Sequence, residues 1–443
     1  IFARREEEKE DRLNKILPHA CAIAGALAAG FSFSFWHNAV ESEAYAPATF
    51  FMILALWLAL LWEENRNPRF LILSGYVMVL GMQVHWMALL AMVPVVFYYL
   101  YSKRKEIRKT ENKNAFFEWL KIYLIGIVIF VIFIALPVTR ALEVPLKEAV
   151  FGSLGIVLGM ILMHIAVQWM ELKYEKKMFL ISLILIIAGL SIYFYLLIRA
   201  RHYPEINECE PTTLRTLWDV FTRKQYGPEK ALSLFKRKTC IKTGYPFIVG
   251  LFWQIHFYLK YANWQWLPWP REAVFGGYET STIIQKLSVF GTTVMALTSI
   301  YGIYNIFKYN KKMFILIFGA YFMASFALIF YMNYKFAPSD PNPMHQPREV
   351  RERQYFFGPA SALLSIFIGV GVYSLILDLR KYVKKFAIIL LGMGIVPLIS
   401  NWHSHANRHG NYICSEYGKN MLLSCDKNAV LYTNGDNDTF PLW

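Results

Sequence analysis

Charge is scarce in this chain. Only 17% of its 443 residues are Asp, Glu, Lys or Arg, against about 25% in soluble domains. That shortfall excludes an ordinary cytosolic enzyme and a charge-rich disordered chain. Cysteine is scarce too. Five residues with no Cys-x-x-Cys pair exclude a disulfide scaffold and a zinc-ribbon site. Neither a Gly-x-x-x-x-Gly-Lys phosphate loop nor a Gly-x-Gly-x-x-Gly dinucleotide fingerprint occurs. Acids are outnumbered, 31 Asp and Glu against 46 Lys and Arg, for a net charge of +15. In a soluble protein that excess would suggest nucleic acid as partner. The 56% apolar content redirects it: the partner is the lipid bilayer, and no nucleic acid is expected.

What is present is a series of long apolar runs. A membrane-crossing helix needs about 20 apolar residues. Candidates lie at 20–36, 44–62, 116–137, 150–170, 178–199, 286–307, 313–334, 356–378 and, shorter, 386–400. The run 70–101 is too long for one crossing, about 48 Å at 1.5 Å per residue. Basic flanks lie on both sides of it, with Arg66 and Arg69 before and Lys103, Arg104 and Lys105 after. The positive-inside rule therefore predicts a helical hairpin turning near Gly81–His85. The same rule puts 171–177, 308–312 and 379–385 inside. The segment 245–269 carries many Trp and Tyr with Lys260, which suits the headgroup interface better than a crossing.

The expected fold is an all-α polytopic membrane protein with about eleven crossings, amino end in and carboxyl end out. Its units would be a lead-in at 1–19, seven spans over 20–199 with an acidic outer loop at 37–43, and an outer segment at 200–285. Four more spans would follow over 286–400, with an Arg-rich outer loop at 335–355, then an outer tail from 401 to 443. With no starting Met, no signal-peptide pattern and a stop at Trp443, we expect a stretch of a longer protein. Cys209, Cys240, Cys414 and Cys425 fall outside on this topology, where disulfides persist. Pairings 209–240 or 414–425 and free buried thiols stand equally open.

Four outer clusters carry chemistry. In the loop Trp36-His37-Asn38-Ala39-Val40-Glu41-Ser42-Glu43-Ala44-Tyr45, two carboxylates two residues apart can hold a divalent cation, Mg or Mn, or serve as general base. Solvated loop acids are the plainer reading from composition alone. In the loop 335–355, Arg348, Arg351 and Arg353 precede Tyr355 and can clamp a lipid-borne phosphate. An Arg–Glu network with Glu349 and Glu352 is an equal alternative. In the long loop, Arg223 and Tyr226 lie in a basic stretch that can gather an anionic headgroup. In the tail, His403, His405, Arg408 and His409 lack a completing ligand. Asp436 and Asp438 follow the strand-like 429–432 and read most simply as a turn. Inside the apolar runs polar residues are few, and His85, His164 and Gln168 stand out among them.

Taken in order, several stretches resemble a known family. They are Phe31-Ser32-Phe33-Ser34-Phe35-Trp36 with Glu41-Ser42-Glu43-Ala44-Tyr45, then Gly81-Met82-Gln83-Val84-His85, and Arg223-Lys224-Gln225-Tyr226-Gly227. Arg348-Glu349-Val350-Arg351-Glu352-Arg353-Gln354-Tyr355 and the long block Asn428 to Trp443 follow. Together they resemble bacterial membrane proteins grouped with the plexin-type protein O-mannosyltransferases, of the GT-C superfamily of lipid-linked-sugar glycosyltransferases.

The resemblance implies a GT-C-like helical bundle in a bacterial inner membrane, with a periplasmic active site and a soluble carboxyl-terminal region beginning in the last block. The donor would be a polyprenyl-phosphate-linked sugar and the acceptor a Ser or Thr hydroxyl of an exported protein. Glu41 and Glu43 match the family's second acidic motif. The family's first acidic loop, which carries the principal catalytic acid, would precede residue 1. Arg348, Arg351, Arg353, Tyr355, Arg223 and Tyr226 would bind the donor phosphate. Trp36, His37, Tyr45, His85, His405, Arg408, Asp436 and Asp438 would line the site. The rival expectation is a non-catalytic scaffold subunit of an envelope assembly or secretion complex. A transporter is disfavoured, because polar groups gather on one face rather than at the midplane.

Overall fold

The computed structural model describes residues 12–41, 43–109, 181, 185–186, 188–221, 224, 237–240, 247–267, 282–340, 345–380, 382, 387–402 and 409–442. They form an all-α, membrane-associated bundle. The first helices are α1 (Arg12–Gly30), α2 (Phe33–Val40), α3 (Tyr45–Asn65), α4 (Arg69–Val84) and α5 (Met92–Lys109). After them come α6 (Tyr193–Ala200), α7 (Leu214–Phe221), α8 (Phe247–Asn263) and α9 (Thr282–Tyr309). A continuous helix with two π-helical turns follows, α10 (Lys311–Met332). The last elements are α11 (Gly358–Leu379), α12 (Val396–Asn401), α13 (Ile413–Leu423) and the single turn α14 (Asp436–Thr439).

The count of crossings needs correction. Among the described residues, five helices are long and apolar enough to cross a membrane: Tyr45–Asn65, Trp86–Lys103, Val289–Tyr309, Lys311–Met332 and Gln354–Leu379. A sixth results if Lys15–Gly30 and Phe33–Val40, bent by 61° at their junction, form one broken span. Against the expected eleven, the described residues therefore hold five or six. The physical reason is interruption. The apolar helices Arg69–Val84, Ala188–Ala200 and Ile389–Asn401 are too short to qualify, although the apolar runs that contain them read as spans. The expected spans 116–137 and 150–170, and part of 178–199, lie outside the described residues, as do His164 and Gln168.

Each interruption has a local cause. α3 stops where Arg66 turns left-handed (φ 53°) and Pro68 opens α4. The run 70–101 breaks at His85, which is extended (φ −161°, ψ 138°) and whose Nδ1 accepts the Met87 N–H at 3.2 Å. α10 starts behind Asn310, whose side chain accepts the Met313 N–H at 3.1 Å, and stops at left-handed Asn333. α11 begins on Gly358-Pro359, with proline in the first turn where its missing N–H costs nothing.

α11 is the hub. It packs along α1 and α9 and against α3, and most of its residues are buried. The core around it joins Met52, Leu56, Phe257, Ile306, Leu316 and Phe367. The segment expected at the headgroup interface forms α8, which buries Phe257, Tyr258 and Tyr261, with Trp264 and Trp266 buried just after it. The strand expected at 429–432 is irregular chain instead, and the following turn is helical. All five cysteines are free, with Cys21 and Cys240 buried.

Candidate active site

The residues that sequence reasoning singled out divide into three groups. Arg223, Tyr226, His405 and Arg408 lie outside the described residues. Asp436 and Asp438 sit in the tail, where the Asp438 carboxylate accepts the Tyr417 hydroxyl at 3.2 Å. The remainder converge at one end of the bundle.

That end begins at the junction of α1 and α2. A broken helix leaves unpaired backbone groups on both sides of the break. Here two distant side chains supply the partners. Gln265 accepts the Ser34 N–H at 3.0 Å and donates to the Ser34 hydroxyl at 2.9 Å, while its own carbonyl accepts the Phe33 N–H at 2.9 Å. Asn401 donates to the carbonyls of Phe31 at 2.9 Å and Gln265 at 3.0 Å. The turn is thereby fixed, and α2 leads into the acidic loop. Trp36 on α2 packs on Phe31 and faces Trp402 at 5.9 Å between ring centres.

One turn further on, His37 Nε2 lies 3.2 Å from Glu41 Oε2, and the imidazole stacks on Phe33. Glu41 closes α2 with its N–H on the His37 carbonyl at 3.1 Å. The Glu43 N–H reaches back to the Asn38 carbonyl at 3.1 Å, and the residue is half-buried. Tyr45 then opens α3. Its ring lies 4.9 Å from His85 and 4.9 Å from Tyr355, with Phe356 at 5.2 Å. Three motifs, the outermost 310 positions apart in the chain, thus share one aromatic dish.

The Arg-rich loop forms the wall of the dish and is itself a network. Phe336 and Arg348 form an isolated parallel bridge, and the Glu349 N–H bonds the Phe336 carbonyl at 2.7 Å. Arg348 Nη1 donates to the carbonyls of Ala337, Pro338 and Asp340 at 2.7, 2.9 and 2.9 Å. Arg353 donates through Nε and Nη2 to one oxygen of Glu349, at 3.1 and 2.8 Å, and through Nη1 to the Tyr355 hydroxyl at 2.5 Å. Burial opposes its charge, but Tyr355 and Glu349 outweigh that and hold the guanidinium protonated above its ordinary range. Arg351 differs. Its guanidinium lies 4.9 Å over the Tyr355 ring, the residue is exposed, and among the described residues it pairs with no carboxylate.

Sequence reasoning missed what anchors this loop. Tyr261 of α8 donates to Glu352 Oε2 at 2.7 Å, and Glu352 Oε1 accepts the Ser339 N–H at 2.9 Å. Lys260 bonds the Ser339 hydroxyl at 2.8 Å and pairs with the buried Asp340. Burial pushes the Asp340 carboxyl up, against the pull of Lys260. Deeper still, buried Arg237 bonds Gln254 at 2.7 Å and the carbonyls of Ile329 and Phe330, both at 2.9 Å, at the C-terminal end of α10. A helix C-terminus is the favourable place for a buried cation. Polar residues inside the aromatic segment (Gln254, Lys260, Gln265) were the available signal.

Among the described residues no three His, Cys, Asp or Glu side chains converge as a metal site. Among the described residues Glu41 and Glu43 therefore have no third such ligand beside them.

Residues 1–108 match the family model described as Protein O-mannosyl-transferase TMEM260 N-terminal domain, and residues 414–443 match TMEM260-associated domain 2. The chain carries TMEM260-family domains. The first match contains Trp36, His37, Glu41, Glu43, Tyr45 and His85, and the second contains Asp436 and Asp438. The Arg-rich loop lies outside both, yet the fold seats its Tyr355 against Tyr45. No curated protein and no solved structure matches the chain.

Proposed function

We propose that this end of the bundle is the active site of a membrane glycosyltransferase that moves a sugar, mannose by the family's description, from a polyprenyl-phosphate carrier to Ser or Thr hydroxyls of exported proteins. The observation that carries it is the meeting of Tyr45 and His85, from the stretch similar to an O-mannosyl-transferase domain, with Tyr355 under the exposed Arg351. An acid and a phosphate-binding cation on one surface are what the reaction needs. The acceptor oxygen bonds the anomeric carbon as the bond from that carbon to the phosphate oxygen breaks. The hydroxyl proton passes to a carboxylate, and the departing lipid phosphate keeps the electron pair.

The local geometry divides the labour. Glu41 is engaged with His37, which holds that ring in place. The half-buried Glu43 carboxylate is in no ion pair among the described residues and is our candidate for a proton-accepting or donor-positioning acid. Arg351 faces the developing phosphate charge. The far end of α3 and α10 carries Arg66, Lys311 and Lys312, so the positive-inside rule turns the site away from the cytoplasm. The corresponding location is a bacterial inner membrane with a periplasmic site.

The test is transfer from a defined polyprenyl-phosphate mannose to a Ser/Thr peptide by the reconstituted full-length protein. Glu43→Gln should slow transfer by about 10²–10⁴, the range for a general acid or base. A Glu43→Gln protein that folds and transfers at the parental rate overturns the assignment. A protein that transfers nothing but loses a co-purifying partner on Glu41→Gln substitution is a scaffold subunit instead.

A further inference from the structure

A second feature lies between two apolar helices, with none of the candidate-site residues in its lining. A cleft of about 300 Å³ runs between α5 and α10, lined by Val93, Pro94, Phe97, Phe314, Phe318 and Phe322 among other apolar residues. Both walls belong to helices apolar and long enough to cross a membrane, and helices of that kind meet hydrocarbon along their middle turns. Along α10 the lining runs from Phe314 to Met323. At 1.5 Å per residue that is about 13 Å, close to half of a hydrocarbon core of about 30 Å. The cleft is therefore as deep as one leaflet. The two π-helical turns, at Phe314–Phe318 and Met323–Ala327, fall along this wall, and Gly319 between them lets Pro94 come close, since a Cβ there would lie 3.1 Å from Pro94 Cβ.

A cationic stretch lies next to the Phe314 end of the cleft, with Lys311 one helical turn before Phe314. Phe314 and Phe318 stack with ring centres 4.7 Å apart, and Phe307 lies 5.0 Å from Phe314. The Lys311 amine sits 5.9 Å from the Phe307 ring centre, and the Lys308 amine lies 5.2 Å over Tyr309. Both lysines are exposed, and among the described residues neither pairs with a carboxylate. The neighbouring Lys312 is different, being paired with Glu63. An apolar slot one leaflet deep, next to two amines that pair with no carboxylate among the described residues, is complementary to a molecule with one anionic end and one hydrocarbon chain.

We infer that this cleft binds an anionic glycerophospholipid of the leaflet opposite the candidate active site, one acyl chain between α5 and α10 and its phosphate beside Lys308 and Lys311. The lipid would tie α10 to α5. The inference does not rest on the proposed transferase reading.

The experiment uses the full chain purified in a neutral detergent and titrated with phosphatidylglycerol or phosphatidylcholine. Bound lipid is read by native mass spectrometry and stability by thermal melting. Phosphatidylglycerol should bind about tenfold more tightly, as about one order of magnitude is reasonable for two lysines near an anionic headgroup. It should also raise the melting temperature more than phosphatidylcholine does. The double variant Lys308→Glu/Lys311→Glu should erase that preference with its melting temperature in phosphatidylcholine unchanged. Gly319→Leu, which fills the cleft, should reduce binding of both lipids, and glycerol phosphate without chains should not bind. Equal binding of the two lipids, or a preference that survives the double variant, overturns the inference. So does a polyprenyl phosphate that displaces phosphatidylglycerol from the wild-type cleft at equal concentration.

Discussion

Arg351 and Arg353 are two residues apart and have opposite surroundings. Arg353 is folded into the loop, its guanidinium spent on Glu349 and Tyr355. Arg351 lies on the outer face of the same tyrosine, with its charge presented outward. Alternation along an irregular segment cannot be read from Arg-Glu-Val-Arg-Glu-Arg, so the sequence offers three equivalent arginines where the fold engages Arg348 on carbonyls and Arg353 on Glu349, and leaves Arg351 exposed over Tyr355. Arg351→Ala should therefore reduce transfer with little change in melting temperature. A charge-assisted hydrogen bond contributes about 1.5–3 kcal/mol, which corresponds to a loss of about 10- to 150-fold in rate. Arg66→Ala at the other end, beside Glu63, should leave the rate within about a factor of two, since exposed ion pairs are worth about 0–1 kcal/mol. Equal losses in the two variants would remove Arg351 from the site.

At the scale of elements, the breaks decide more than the helices. Gln265 holds the α1–α2 turn from more than two hundred residues away, and Ser34 beneath it is fully buried. Gln265→Ala would leave the Ser34 N–H without a partner, a cost of about 1–3 kcal/mol for a buried donor. The expected result is a lower melting temperature together with reduced transfer, because the turn aims His37 and Glu41. Gln265→Glu should recover part of the stability, since a carboxylate can still accept the Ser34 N–H. A Gln265→Ala protein as stable as the parent would show that the turn holds itself.

The same turn explains what could be read in advance. α3, α9, α10 and α11 are continuous apolar runs, and their positions follow from hydropathy alone. The break near His85 was legible because basic residues flank both ends of an overlong run. The break at Phe31–Ser32 was not, since nothing in Ala-Ala-Gly-Phe-Ser-Phe announces that Gln265 and Asn401 will satisfy the backbone there. The acidic loop and the dish residues Tyr45, His85 and Tyr355 were legible as motifs. Their anchors Lys260 and Tyr261 were not, because an aromatic segment with one lysine reads equally as interfacial chain and as a packed helix.

At the scale of the molecule, both ends depend on α11. The turn Gln354–Phe357 that leads into it carries the wall of the candidate site, and its far end approaches the basic side of the bundle. Close packing along α11 comes from small residues, as in many membrane bundles, where backbones attract only if they can approach. A Cβ added at Gly371 would meet the backbone of Thr298 on α9, and one added at Gly25 on α1 would sit 3.3 Å from Gly369 Cα. Neither neighbour is a flexible side chain that can swing away. Gly371→Leu should therefore force α9 and α11 apart, an overpacking cost of at least about 1–3 kcal/mol. Gly75 in α4 is the matched control, because a Cβ there meets nothing within 4 Å. The measurement is thermal melting of both variants in one detergent, followed by transfer at a temperature where each is folded. Gly371→Leu should melt lower and transfer more slowly, while Gly75→Leu matches the parent in both. If Gly371→Leu lowers the melting temperature but transfers at the parental rate, α11 supports the bundle without setting the geometry of the dish, and the wall formed by Arg351 and Tyr355 is positioned by α8 through Tyr261 and Lys260 alone.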